Sequence, residues 1–199
     1  MSESPARRRR AEELEDAIRD AVREELDERG YAGVTFEGVA RRAGTSKPVV
    51  YRRYDSRAQM VIDAVIARGF SMPRPPFVGP LRDDLVLFMR SVMTRIGKGR
   101  VQTFRGVIGE VDDATVAHVA RVTLEFANGM LDEVFASARA RGELGAAPVP
   151  PRVAGSIVAL LRHYFVFEGG DVGSDAVDEI VDQVLVPLLK SVTAVPTDG

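Results

Sequence analysis

From Arg41 to Arg57 the chain carries six basic residues, Arg41, Arg42, Lys47, Arg52, Arg53 and Arg57, against one acid, Asp55. Tyr51 and Tyr54 stand among them. The whole chain has a net charge of −2, so this is a local excess of positive charge in a slightly acidic protein. Cations gathered in one place attract a phosphodiester backbone. Tyrosine and serine hydroxyls add hydrogen bonds to the same oxygens. Lys47 and Arg53 are also suited to guanine edges, and Pro48 and Val49 to a thymine methyl. The chemistry these residue types offer together is recognition of duplex DNA.

The elements that must hold these residues are legible around them. Thr35 is a good helix N-cap, because its hydroxyl can accept from an orphan amide of the first turn. Phe36, Val39, Ala40 and Ala43 then recur at helical spacing. Gly44 stands where that helix must stop, and glycine permits the left-handed conformation that ends one. Thr45 or Ser46 can cap the next helix, and Pro48 falls in its first turn, where a missing amide costs nothing. Val49 or Val50, with Tyr54, gives the second helix its own buried face. Ala40 is small where two helices must cross closely. The spacing therefore predicts helices over 35–43 and 46–53 joined by a glycine turn, a helix-turn-helix whose second helix enters the major groove. A second basic run, Arg7, Arg8, Arg9 and Arg10, precedes the first helical pattern. It reads either as a flexible arm that enters a minor groove or as a solvated tail.

Residues 35–61 resemble the DNA-binding half of the TetR-type (tetracycline-repressor-like) transcriptional regulators. The resemblance rests on Thr35, Val39-Ala40, Ala43-Gly44, Thr45-Ser46, Val50-Tyr51, Tyr54 and Ser56-Arg57. Arg57 stands where the family has lysine, Thr45 where valine is common and Tyr54 where phenylalanine is frequent. The resemblance implies an all-α fold, with an N-terminal helix-turn-helix three-helix DNA-binding domain and a helical-bundle ligand-binding and dimerisation domain. It also implies that Tyr51 and Arg57 meet phosphate. Thr35, Thr45, Ser46 and Arg52 are further phosphate candidates, and Lys47, Pro48, Val49 and Arg53 are the base-contact candidates.

Composition narrows the remaining classes. The chain has 199 residues, 45% of them hydrophobic, enough for one or two packed domains. It has no cysteine, which excludes a thiol nucleophile or a cysteine metal site. The two histidines, His118 and His163, lack metal-spaced partners, and Gly97-Lys98-Gly99 lacks the surroundings of a phosphate loop. Catalysis is therefore not expected, nor is a cofactor or metal. The N-terminus has no apolar segment of the secretory kind, and the apolar runs are too short to span a membrane. A soluble cytoplasmic protein with no membrane partner is expected.

Organisation follows from periodicity. Residues 1–10 read as the flexible basic arm, 11–55 as the helix-turn-helix domain and 56–70 as a connecting helix. Residues 71–80 read as a linker, because four prolines between Met72 and Pro80 cannot be helical. Residues 81–199 read as a helical effector-binding and dimerisation domain, with helices over 81–96, 101–111, 114–141 and 152–167 and a last one that Pro187 should kink or end. The final two are apolar over a wide arc, which requires cover on more than one side. One side suits the domain core. The other, drawn from Val153, Ile157, Leu160, Leu161, Tyr164, Val177, Ile180, Val181, Val184 and Leu188, suits a second copy on a two-fold axis.

A homodimer would read a palindromic operator with half-sites about one helical turn apart, roughly 34–36 Å. The family resemblance implies that an unknown small-molecule effector, bound in the C-terminal domain, changes the spacing of the two heads. Phe88, Met89, Phe104, Ile108, Phe126, Met130, His163 and Phe167 are candidates to line its pocket, or are plain core. A largely apolar lining suits a hydrophobic or aromatic effector. The expected function is a ligand-responsive, sequence-specific transcriptional regulator, more readily a repressor than an activator. The alternative is a helical protein–protein adaptor that keeps a vestigial helix-turn-helix.

Overall fold

A computed structural model of the chain describes residues 5–96, 100–167 and 174–194; the side chains of Arg7 and Phe167, both singled out from the sequence, lie outside the described residues. The described elements are helical: α1 (Pro5–Gly33), α2 (Phe36–Arg42), α3 (Lys47–Tyr51), α4 (Arg57–Ser71), α5 (Leu81–Ile96), α6 (Arg100–Ile108), α7 (Asp113–Ala140), α8 (Pro151–Phe167), α9 (Ser174–Ile180) and α10 (Val186–Thr193), the last two joined by a π-helical turn over Val181–Leu185. There is no strand among the described residues, so the expected all-α class holds.

The contacts divide the chain into two compact units. The first takes residues up to Ser71 together with Gln102–Val119, and the second takes Met72–Val101 with the remainder from Ala120. This differs from a boundary at Pro80 with everything after it in one domain. Val107 is the physical reason: it is buried in the core of the first unit with Ile18, Val22, Tyr31, Val39, Val50, Tyr54, Met60 and Val61. Periodicity shows that a helix has an apolar face but not which core that face enters.

In the first unit, α1 lies against α2 and α4 through Ile18, Ala21 and Val22. The basic run that was expected to be a flexible arm is helical from Pro5 and continuous with α1, with Arg8, Arg9 and Arg10 exposed. Arginine is a good helix former, and Glu12, one turn on, pairs with Arg8 at 3.7 Å. At its other end α1 breaks at Gly30, whose φ of 66° only glycine adopts at little cost.

In the second unit, Phe88, Met89, Met130, Leu131, Val134, Ile157, Leu161, Val181, Leu185 and Leu189 form one core. Pro187 does not end the last helix. It sits just after the π-turn, whose wider i→i+5 path relieves the clash between the proline ring and the preceding turn. Arg95 of α5 is buried and donates to two carbonyls of the linker, those of Met72 (2.8 Å) and Pro73 (2.6 Å). That pair of bonds fixes the start of a segment that has no helical bonds of its own.

Candidate nucleic-acid interface

The turn between α2 and α3 is built as its residues require. Thr35 is extended (φ −131°, ψ 150°) and its hydroxyl accepts from the Gly38 amide at 3.0 Å. At the other end of α2, Gly44 takes φ 63°. The Thr45 amide donates back to the Ala40 carbonyl at 2.9 Å and the Gly44 amide to Arg41 at 3.4 Å. That is the paired closure of a helix end on a left-handed glycine. Ala40 and Val50 are buried between α2 and α3, with Tyr54 beneath them. Ser46 occupies the N-cap position of α3 without a side-chain cap bond, so its exposed hydroxyl is not committed to the helix.

The outward side of this motif carries Thr35, Ser46, Lys47, Pro48, Tyr51 and Arg52, all exposed, and Val49, which is half-buried. Tyr51 is 50% exposed yet held in place. Its ring stacks on Phe36 with centroids 4.1 Å apart and planes 1° from parallel, and the Lys47 ammonium stands 5.7 Å from the Tyr51 ring centroid. Phe36 packs in turn on the core of the unit. A flat aromatic fixed on one face presents its hydroxyl in a defined direction at little entropy cost on binding.

Half of the basic cluster faces elsewhere. Arg42 is bound by three acids of α1: Nε donates to Glu25 at 2.9 Å, Nη1 to Glu24 at 3.1 Å and to Glu28 at 2.9 Å, and Nη2 also to Glu28. Glu25 is fully buried and also meets Arg29 at 3.3 Å. Arg53, a base-contact candidate from sequence, lies beyond the end of α3. It is three residues from buried Val50 and adjacent to buried Tyr54, so it follows the inward side of the chain, where its Nη1 reaches Glu15 at 3.5 Å. It belongs to a polar cleft of about 350 Å³ with Glu15, Arg19, Tyr54, Gln59 and Asp63. The cleft is laced by Arg19–Asp63 (2.9 Å) and by the Tyr54 hydroxyl donating to Asp63 (2.7 Å). This geometry does not support a base-reading role for Arg53.

Arg57 is engaged as well. One nitrogen donates to the Ala32 carbonyl at 3.2 Å, the other is paired with Glu110, and the guanidinium lies 4.5 Å over the Tyr31 ring. The Tyr31 hydroxyl donates to the same Glu110 at 2.7 Å. Burial, with help from Glu110, pushes the Tyr31 hydroxyl up to about 12. A hydroxyl whose folded pKa exceeds its unfolded value near 10 stabilises the fold below pH 10 and loses that contribution as pH rises towards 12. Absorbance at 295 nm during alkaline titration is expected to show late ionisation of two tyrosines, Tyr31 and Tyr54, the latter also pushed up by burial and by Asp63, and Tyr31→Phe removes the earlier of the two. An unchanged curve in that variant would place the earlier transition elsewhere.

The proposed effector lining divides between the two units. Phe104 and Ile108 belong to the first unit, and Ile108 is exposed. Phe88, Met89 and Met130 are fully buried in the second core, and His163 is exposed. Phe126 is half-buried, with Arg74 and Arg95 at 5.0 and 5.3 Å from its ring. The proposed dimer set divides similarly. Ile157, Leu161, Val177, Ile180 and Val181 are consumed by the core of their own unit, whereas Val153, Leu160, Tyr164 and Leu188 are half-buried and Val184 is exposed. Sequence reasoning passed over Tyr31 and the α1 acids. The i, i+4 spacing of Glu24 and Glu28 was a readable sign of a carboxylate face; no local pattern marked Glu110 as the partner of Arg57.

Comparison with known proteins agrees with this architecture. Residues 18–64 match the family described as bacterial regulatory proteins, tetR family, and residues 75–184 match the tetracyclin repressor-like C-terminal domain. An uncharacterized HTH-type transcriptional regulator of Mycobacterium tuberculosis is 28% identical over 170 residues, which is 84% of each chain. Among solved structures, a regulator assigned to the TetR family from Rhodococcus sp. superposes with a TM-score of 0.58 at 18% identity, over 92% of this chain and 100% of that one. Another, from Mesorhizobium loti, gives 0.55 at 15% identity over 97% and 100%. The chain belongs to the TetR family of transcriptional regulators, DNA-binding proteins of the helix-turn-helix type. None of its described helices is long and apolar enough to cross a membrane.

Proposed function

We propose that the protein is a ligand-responsive repressor that binds a palindromic operator as a homodimer and is released by a small-molecule effector. The observation that carries the DNA-binding part is the outward face of α2 and α3. There Lys47 and a stacked Tyr51 stand together with Ser46, Pro48 and Arg52 on and beside the short helix α3. Lys47 is the base-reading cation, with Pro48 and Val49 beside it for a thymine methyl. Tyr51, Arg52, Ser46, Thr45 and Thr35 hold phosphates. Arg8, Arg9 and Arg10 extend α1 as a basic helix and add backbone attraction.

A five-residue recognition helix reads few base pairs, which favours two copies on a two-fold axis. Val153, Leu160 and Tyr164 on α8, Val184 in the π-turn and Leu188 on α10 keep part of their apolar surface outside the core. An effector in the C-terminal unit need prefer the non-binding state by only a few kcal/mol to release the operator. A dimer seated on a promoter excludes polymerase, which makes repression the simpler direction.

Selection of random duplex DNA on the purified protein at about 0.15 M salt tests this directly. A two-fold palindrome is expected. Absence of any enriched site, with no salt-sensitive binding, would return the helical adaptor as the better reading. On the recovered site, Lys47→Ala is expected to weaken binding by about 1–3 kcal/mol per head and to relax the base preference at one position in each half-site. A variant that kept its full preference would remove Lys47 from the base-reading set.

A further inference from the structure

Arg57 opens α4 and reaches the carbonyl of Ala32, three residues before the N-cap Thr35, so it stands on the same edge of the head as a proposed phosphate contact. Its guanidinium is nonetheless occupied on two edges and one face: by Ala32, by Glu110 and by the Tyr31 ring. With one terminal nitrogen on Glu110 and the other on Ala32, the two-pronged edge that would take a phosphate bidentately is already divided between them. The carboxylate comes from the turn after α6, and that segment is firmly seated on the head. Val107 enters its core, and a Cβ on Gly106 would stand 2.4 Å from the Tyr31 ring, so the backbone there approaches as closely as glycine allows. Tyr31 then donates to the same Glu110 from the other side.

We infer that Glu110, aligned by Tyr31, is a positioning residue that withholds Arg57 from DNA, so that the head gains a further phosphate contact only when the 102–111 segment yields it. The inference rests on the DNA-binding reading above. Glu110 is the internal stand-in for a phosphate: an anion on one terminal nitrogen of Arg57, steadied by one neutral hydroxyl. Its pKa is lowered chiefly by Arg57 and next by Tyr31, so it stays ionised at neutral pH and competes as a full charge. Exchange of one anion for the other keeps the guanidinium paired throughout, and the preference is set by how many polyanion charges the DNA brings near.

The test is binding of the full-length protein to a mixed-sequence duplex across a salt series, because a phosphate contact contributes whatever the sequence. Glu110→Gln keeps the shape and removes the charge. Its affinity is expected to rise about three- to tenfold, with the slope of log K against log salt steeper by about 0.9 for each Arg57 that reaches a phosphate. In an Arg57→Gln background the same substitution is expected to change neither quantity. Glu110→Asp, too short for the present geometry, is expected to move in the same direction as Glu110→Gln and guards against a folding artefact of one variant. Unchanged or weaker binding by both variants overturns the inference while leaving the DNA-binding reading intact. An equal gain in the Arg57→Gln background also overturns it, because loss of a negative charge alone would then explain the effect. Wild-type protein that shows no salt-dependent binding to any duplex would sink the functional reading itself.

Discussion

The Tyr51→Ala protein is expected to bind duplex DNA of every sequence about two to four orders of magnitude more weakly than the wild type. A hydrogen bond from a tyrosine to a phosphate oxygen contributes about 1.5–3 kcal/mol. A dimer loses two of them, and each 1.4 kcal/mol is about tenfold in affinity. The structure adds a second reason. The Tyr51 ring is stacked on Phe36 and stands under Lys47, so alanine also removes the surface against which that lysine rests. Tyr51→Phe separates the two contributions, because it keeps the stack and loses only the hydroxyl. Affinity measured by anisotropy on specific and mixed-sequence duplexes should fall in parallel for both variants, with the alanine the worse. Wild-type affinity in Tyr51→Ala would remove the tyrosine from the interface.

The largest effect on stability is expected at Gly145. A Cβ there would lie 1.9 Å from the Thr193 carbonyl oxygen and 2.6 Å from its carbon, both main-chain atoms that cannot rotate away. The approach is close because the Gly145 amide donates to the Thr193 hydroxyl at 3.1 Å, and that hydroxyl donates to the Leu189 carbonyl at 2.7 Å. The loop after α7 is thereby fastened to the end of the last helix. Gly145→Ala must push the two apart, and a loss of about 3 kcal/mol, the upper range for overpacking, is expected. Urea unfolding should show a lower midpoint with an unchanged slope. A midpoint equal to wild type would mean that the loop does not dock on this helix end.

What the sequence made legible was local. Thr35, Gly44 and Pro48 each have one conformational use at their positions, and together they define the ends of α2 and α3 without knowledge of anything distant. Val39, Val50 and Tyr54 were readable as the inner face for the same reason. The state of the arginines was not readable. A run of six cations suggests six contacts, yet the partners of Arg42, Arg53 and Arg57 lie on α1 and in the turn after α6, as far as 53 residues away. Long-range pairing leaves no periodicity, so charge counted along the chain overstates charge offered to a ligand. The same holds for apolar residues: α6 shows its apolar face plainly, but only packing reveals that Val107 enters the first unit rather than the second. The effector candidates divide between the two units for that reason: Phe104 and Ile108 were grouped with residues of the second unit but belong to the first.

The π-turn at Val181–Leu185 has a consequence for how the last helix keeps its register. Val177, Val181, Leu185, Leu189 and Thr193 are all buried, a strict repeat of four. On an unbroken α-helix each step of four overshoots a full turn by about 40°, so four steps would carry Thr193 about 160° round from Val177. A turn that closes on i→i+5 advances less per residue and takes back part of that rotation, which keeps the row on one side. The wide turn is thus an angular correction demanded by the spacing of the apolar residues, and Pro187 sits where it favours the correction. Exchanging that proline for a better helix former would straighten the helix and swing its far end, with Leu189 and the Thr193 anchor of Gly145, away from the core it now fills.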